Sequence, residues 1–449
     1  MEDSARRQDM TGRQEERPGQ GESDAEPARL LAEPRGGVPP VIDDAQGFAR
    51  ACRELSQERG PLAADAERAS GFRYGHDDYL VQFKRGSSDI FLLDPQALNR
   101  AGCDWDDFNR AVDGAQWIIH DSPQDLPGFH DLGMKPSSLF DTELTARMLN
   151  LRHFGLSAVT EHFLGLSLAK EHSAADWSHR PLPRDWRNYA ALDVELLVPL
   201  RERMLLELER QGKEEWARQE FVWLLDKRSQ RKPRPEQPWR HLSQISTLRK
   251  DRRGLAVARA LWTKREELGR EYDIAPSLLL TDRSIIAAAQ AKPRNAAQFR
   301  AIRSLNERVR IHAGGEQDRM FERYAPIQRK VRPTVWRETI LEALDLPADE
   351  LPVGPKPQAD QSNAPKSMQV WRQRHPERMA RLEAARKTVA RIGQETNTPV
   401  DVLIKPKYLR NLCWTDEPGK RDVADFLEEQ GARPWQVSLL SESLSRAIM

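Results

Sequence analysis

Pro61-Leu62-Ala63-Ala64-Asp65-Ala66-Glu67 is a short apolar run that ends in two carboxylates one residue apart. On an extended strand residues i and i+2 share a face, so Asp65 and Glu67 point the same way. Like charges at that distance call for a cation between them. A single Asp-x-Glu is more often a strand end turning into solvent, so its meaning depends on what the rest of the chain brings to it.

Around this stretch short apolar runs alternate with amphipathic ones, the pattern of an α/β domain. Strands are expected at Leu62–Asp65, Tyr79–Phe83, Ile90–Leu93 and Trp117–His120. The first three are separated by turn-length gaps, Arg73–Asp78 and Lys84–Asp89, which predicts antiparallel hairpins and hence a mixed sheet flanked by helices. Helices are expected at Ala45–Arg59, Leu98–Asp113, Pro123–Leu132, Thr142–Leu149 and Leu156–Leu164, with a long one from Trp186 to Glu209.

Two further motifs carry acids. In Trp117-Ile118-Ile119-His120-Asp121-Ser122-Pro123-Gln124-Asp125 a strand runs through a turn into a helix, and local capping by Ser122 accounts for Asp125 as well as metal chemistry does. Tyr189-Ala190-Ala191-Leu192-Asp193 lies in a helix, where a spacing of four puts hydroxyl and carboxylate on one face. Isolated, that pair reads as a core-edge tyrosine with a surface acid. A second Asp-x-Glu, Asp141-Thr142-Glu143, precedes helical spacing and is assigned a structural role, Asp141 as N-cap and Glu143 as a dipole partner.

The 449 residues exceed one ordinary core and suggest several domains. Residues 1–37 hold almost no large apolar side chains and are expected to be a disordered tail. No apolar run is long enough for a membrane span and no secretory signal is evident, so a soluble, cytoplasmic chain is expected. Cys52, Cys103 and Cys413 stand too far apart for a disulfide framework or a Cys-x-x-Cys zinc site, so any metal is held by oxygen, which suits magnesium or manganese. The net charge of +1 conceals a basic stretch, Asp226–Arg270, with 14 Lys+Arg against 5 Asp+Glu. Such a stretch attracts a phosphate backbone if its charges share a face, and is otherwise a solvated linker and helix.

Asp226–Pro238 and Leu351–Pro365 read as proline-rich linkers. The sequence between and after them is helical throughout, an all-α part made of two small bundles. Pro276, Leu280, Ile285 and Ile286 have counterparts in Pro399, Leu403, Tyr408 and Leu409 at an offset of 123 residues, which suggests a duplicated module.

Taken together and in this order, the three acidic motifs resemble the DEDD exonuclease superfamily, in its subgroup with tyrosine in the third motif. Flanking residues narrow the likeness to the ribonuclease D family: Arg68-Ala69-Ser70-Gly71-Phe72-Arg73-Tyr74, Leu139-Phe140-Asp141-Thr142-Glu143-Leu144, and Ser173-Ala174-Ala175-Asp176-Trp177-Ser178-His179-Arg180-Pro181-Leu182. The helical part is similar to the helicase-and-RNase-D C-terminal (HRDC) domain, most clearly from Trp239 through Glu271-Tyr272-Asp273-Ile274-Ala275-Pro276 to Ile286. Two positions depart from the family pattern. Ala66 replaces a frequent Thr, and Asp121 adds a carboxylate four residues before Asp125.

The resemblance implies an RNase H-like exonuclease domain over 38–226, a basic linker at 227–238, a first HRDC-like domain at 239–320, connecting helices and linker at 321–365, and a second HRDC-like domain at 366–446. It implies a 3′→5′ exoribonuclease with two divalent ions, Mg²⁺ or Mn²⁺, held by Asp65, Glu67, Asp125 and Asp193. In that scheme Asp65 bridges both ions, Glu67 and Asp193 hold the one that binds the attacking water, Asp125 serves the second, and Tyr189 orients the water. The implied partner is RNA through its 3′ ends, transfer-RNA precursors included, with no membrane and no protein partner. Lys227, Arg228, Lys232, Arg249, Lys250, Arg252 and Arg253 are the basic residues expected along upstream RNA. Two alternatives remain open at this stage: a DNA 3′→5′ exonuclease using the same acids, and a catalytically silent RNA-binding scaffold.

Overall fold

The structure, a computed structural model, describes residues 28–168, 174–354, 364–365, 367–415 and 422–448. The expected tail over residues 1–27, residues 355–363 of the second linker, Ser173 and Lys366 lie outside the described residues.

Alternating small apolar residues make β3 (Leu62–Arg68) a strand whose two faces differ in chemistry. β4 (Asp78–Arg85) returns antiparallel beside it, and β5 (Phe91–Leu93) antiparallel beside β4, as the short gaps predict. Helical crossovers then force parallel neighbours. β2 (Val41–Ile42) pairs with β5, β6 (Gln116–Ile119) with β3, and β7 (Ser138–Asp141) with β6. The resulting six-stranded mixed sheet has the order β2-β5-β4-β3-β6-β7. One of its faces is closed by an aromatic cluster, in which Phe83 lies 4.5 Å from Phe108, 5.6 Å from Trp117 and 6.0 Å from Phe129 between ring centroids. Each such ring buried from water stabilises the domain by roughly 2–3 kcal/mol.

α1 (Ala45–Gln57), α4 (Ser122–Asp131), α5 (Thr142–Met148) and α6 (Leu156–Leu164) lie close to their expected spans. Two expected helices are broken. The Leu98–Asp113 helix is in fact α2 (Pro95–Arg100) and α3 (Trp105–Ala111), because Gly102 turns at φ +73° and Asp104 caps the second piece. The long Trp186–Glu209 helix is α7 (Arg184–Glu195) followed by α8 (Leu197–Arg210). Pro199 has no N–H to donate to the carbonyl of Glu195, so the helix restarts there. α9 (Glu214–Arg228) completes this part.

Residues 28–37, expected to belong to the tail, are ordered. β1 (Arg29–Leu31) pairs parallel with β8 (Leu166–Leu168), and Arg184 binds Glu33 at 2.9 Å. Leu30 and Leu31, the one apolar pair in this region, supply the strand that composition averaged over the whole tail concealed.

The helical repeat is present, but its register is 124 residues rather than 123. Asp273 and Asn397, each at φ +47°, end the helices Arg252–Tyr272 and Pro376–Glu395. The short helix Pro276–Leu279 then matches Val400–Leu403, and Asp282–Ala291 matches the start of Pro406–Trp414. Gly269 and Gly393 occupy equivalent places, where an added Cβ would meet the carbonyls of Ile274 and Thr398 at 3.2 and 2.8 Å.

Both helical units are bonded to the sheet domain. In the first, the Ala275 N–H donates to the Phe72 carbonyl at 2.8 Å, Phe72 stacks on Phe321 at 4.4 Å, and the Tyr324 hydroxyl donates to Asp176 at 2.8 Å. In the second, Arg433 and the Trp435 indole both donate to buried Glu220, at 2.5 and 2.9 Å, and Trp435 stacks on Trp216. Among the described residues no helix is long and apolar enough to cross a membrane.

Candidate active site

Residues 63, 65 and 67 of β3 and 80, 82 and 84 of β4 share the face opposite the aromatic cluster, and α7 covers it. The register sets Asp65 opposite Gln82, whose amide donates to Asp65 Oδ2 at 2.7 Å. α7 lowers Asp193 onto the same spot, with the Tyr189 hydroxyl one turn earlier hydrogen-bonded to it. One oxygen from each of Asp65, Glu67 and Asp193 lies within 4.8 Å of the other two. Trp177 and Trp186, both buried, back Tyr189, the former with its ring 6.2 Å away.

Asp125 reaches the same region from the first turn of α4 but is not one of this trio. Its Oδ1 accepts from Arg68 Nη1 at 2.9 Å, and Arg68 also donates to the Gln124 carbonyl at 2.9 Å. The capping expected of Ser122 is done differently. Asp121 precedes α4 at φ +58°, in the left-handed region that Asp tolerates better than most residues. Ser122 donates through its N–H and its hydroxyl to Asp141 Oδ2, at 2.8 and 2.6 Å, while Asp141 Oδ1 caps α5 by accepting from Leu144 N–H at 2.9 Å. Asp141 is thus structural, as its sequence context predicts, and Asp125 has no capping duty.

All four carboxyls are pushed above the ordinary carboxylate range. Loss of hydration is the main cause for each, and neighbouring acids add to it: Asp193 for Asp65, Asp65 for Glu67 and Asp125, and Asp125 for Asp193. Tyr189 is pushed up too, by burial and then by Asp193, Glu67 and Asp65. Carboxylates crowded in this way are costly unless a cation joins them. A set made of oxygen donors alone, with neither thiolate nor imidazole, fits a hard divalent ion.

Three residues of this region were missed from sequence. Gln82 was legible in principle, because the hairpin register places it opposite Asp65. Arg68 stands in a quoted motif, but its partner Asp125 is 57 residues away. Asp78, buried beside Arg68, carried no signal. Two of the basic residues expected along RNA prove structural. Arg252 donates to the Ala348 and Leu351 carbonyls at 3.0 and 2.8 Å, and Arg253 to that of Leu344 at 2.8 Å, closing the C-terminal end of the helix Pro333–Asp345. Lys232, Arg249 and Lys250 are exposed.

A 3′-5′ exonuclease family model matches residues 39–209, an HRDC domain model residues 254–316, and a 3′ to 5′ exonuclease C-terminal domain model residues 364–448. The last of these covers the unit that the sequence reading took for a second HRDC-like domain. Ribonuclease D of Sphingobium indicum is 26% identical over 299 residues, covering 66% of this chain and 76% of that protein. The crystal structure of a protein from Bifidobacterium adolescentis is 63% identical with a TM-score of 0.89, covering 94% of this chain and all of that one. The crystal structure of Escherichia coli RNase D shares the fold, with 20% identity, a TM-score of 0.58, and coverage of 91% of this chain and 98% of that one.

Proposed function

The chain belongs to the ribonuclease D family and is a 3′→5′ exoribonuclease, and on that premise we propose that Asp65, Glu67, Asp125 and Asp193 hold two divalent ions, magnesium or manganese, at its active site. The observation that carries this reading is the approach of Asp65, Glu67 and Asp193 oxygens to within 4.8 Å of one another on a strand and a helix far apart in sequence. A phosphodiester resists attack because its oxygens are already anionic, and paired divalent ions would supply the electrophilic character, activating water and stabilising the departing 3′-oxygen.

The side chains do the rest. Asp65, steadied by the Gln82 amide, would hold the ions together with Glu67 and Asp193, and Asp125 would join the set from α4. Tyr189 stays protonated, since burial pushes its phenol upward. Its hydroxyl, donating to Asp193, would offer its oxygen to the attacking water and orient it.

The natural substrate on this reading is the 3′ end of structured RNA, transfer-RNA precursors included. The Escherichia coli enzyme of the same fold is described as an exoribonuclease involved in structured RNA processing. Exposed Lys232, Arg249 and Lys250, with Lys227 and Arg228, would follow the upstream phosphates without reading sequence.

The test incubates 3′-extended RNA and matching DNA with magnesium or manganese, using wild type and Asp193→Ala. Wild type should shorten RNA from its 3′ end, and the variant should not. Equal activity in the variant removes the assigned site, and DNA degraded as fast as RNA removes the substrate class.

A further inference from the structure

The sheet domain buries an acid that the reaction as described does not use. Asp78, the first residue of β4, is 2% exposed, and neither of its carboxylate oxygens accepts a hydrogen bond. An anion is not left in that state without cost. The cation beside it is Arg68, whose Nη1 lies 3.6 Å from Asp78 Oδ1 and whose other contacts are Asp125 and the carbonyl of Gln124.

Two features of the backbone serve this contact. The β3–β4 ladder shifts register between Glu67 and Arg68, and such a bulge re-aims the side chain that follows it. On α4, Gly128 lies three residues after Asp125 and so on the same side of the helix. A Cβ there would come within 2.1 Å of Asp78 Oδ2. The helix that carries Asp125 is thus bare where Asp78 packs against it.

We propose that Asp78 is a positioning residue for the metal site: its buried carboxylate anchors Arg68, and Arg68 fixes the carboxylate of Asp125 relative to Asp65, Glu67 and Asp193. The proposal rests on the reading of those four acids as metal ligands. Without Asp78 the guanidinium keeps only Asp125 as counter-charge and is drawn toward the acidic cluster, where it competes with the cation. Without Arg68, Asp125 loses the donor that orients it. Both changes weaken metal binding through the same side chain.

Mn²⁺ titration by calorimetry of the full chain tests this, with Asp78→Asn, Arg68→Met, the double variant and Asp193→Ala beside wild type. Changes to groups that orient metal ligands typically cost roughly ten- to hundredfold in affinity, and that loss is expected for Asp78→Asn, with its thermal midpoint in EDTA unchanged or higher. Adding Asp78→Asn to Arg68→Met should cost nothing further, a coupling that a merely structural role of Asp78 does not produce. Wild-type affinity in Asp78→Asn, or losses that add in full, overturns the proposal. Should Asp78→Asn fail to fold, Arg68→Lys keeps the charge but not the fork, and wild-type affinity in it overturns the proposal equally. If Asp193→Ala loses binding while Asp78→Asn keeps it, only the positioning role falls. If Asp193→Ala itself binds as wild type does, the metal site falls and takes the proposal with it.

Discussion

Replacing Asp193 by Asn should make the metal-free protein more stable while removing its activity. Two unit charges 4.8 Å apart repel by about 3.5 kcal/mol at an effective dielectric constant of about 20. Linkage gives a ceiling of similar size. The Asp193 carboxyl, ordinarily near 3.8, is pushed up to about 7 by burial, with Asp125 adding to the rise and the Tyr189 hydrogen bond opposing it. Holding it ionised in the folded state then costs about 4 kcal/mol at most. Relaxation of the side chains and proton uptake by the other acids absorb part of this, so the expected gain for Asp193→Asn is about 2 kcal/mol, a rise in Tm of roughly 4–8 °C for a domain of this size. The sign with pH follows from the same shift. Below about 4 the carboxyl is protonated in both states and contributes nothing. Between 3.8 and about 7 the folded state holds the proton that the unfolded state releases, so wild type loses stability as pH rises and the loss is complete above about 7. Differential scanning calorimetry in EDTA should therefore show a gap between variant and wild type that is small near pH 4 and full near pH 8, and Mn²⁺ should close it by stabilising wild type alone. A variant that melts at or below wild type at pH 8, or a gap that ignores pH, would refute the reasoning.

Two further outcomes are expected. Tyr189→Phe should lower kcat by roughly 10²-fold while the pH–rate profile between about pH 6 and 9 keeps its shape; an alkaline rise present only with the tyrosine would mean that the phenol ionises. Glu220→Ala leaves Arg433 unpaired in a contact where its side chain is 10% exposed, which should cost about 3–5 kcal/mol and let the last helical unit unfold before the sheet domain in urea. A single transition with an unchanged midpoint would count against that anchoring.

The sequence made the sheet legible where chemistry alternates. Asp65 and Glu67 flank Ala66 on a strand, and the turn-length gaps Arg73–Asp78 and Lys84–Asp89 predicted a mixed sheet. β7 went unseen because Ser138–Asp141 offers only the apolar pair Leu139-Phe140, between a serine and an aspartate. The long helix over Trp186–Glu209 was overextended because its apolar spacing continues across the break at Leu196. In the site, Tyr189 and Asp193 were readable as a pair because a helix fixes the distance between i and i+4. Convergence of Asp125 with them depends on how α4 leaves β6, and Arg68, Gln82 and Asp78 owe their places to tertiary packing that no local pattern records. The repeat was recognisable from proline and leucine, but its register was off by one, because the left-handed residues Asp273 and Asn397, which mark equivalent corners, differ in type.

The bond from Ala275 to Phe72 and the stacking of Phe72 on Phe321 join the first helical unit to the loop that leaves β3 directly after Glu67 and Arg68. A polypeptide truncated at the basic linker would present the Phe72 ring to water and leave that backbone carbonyl without its donor. Expression of the sheet portion by itself should accordingly yield material prone to self-association, with the strand that carries Asp65 and Glu67 unsupported at one end. The practical unit for biochemistry is the uncut chain.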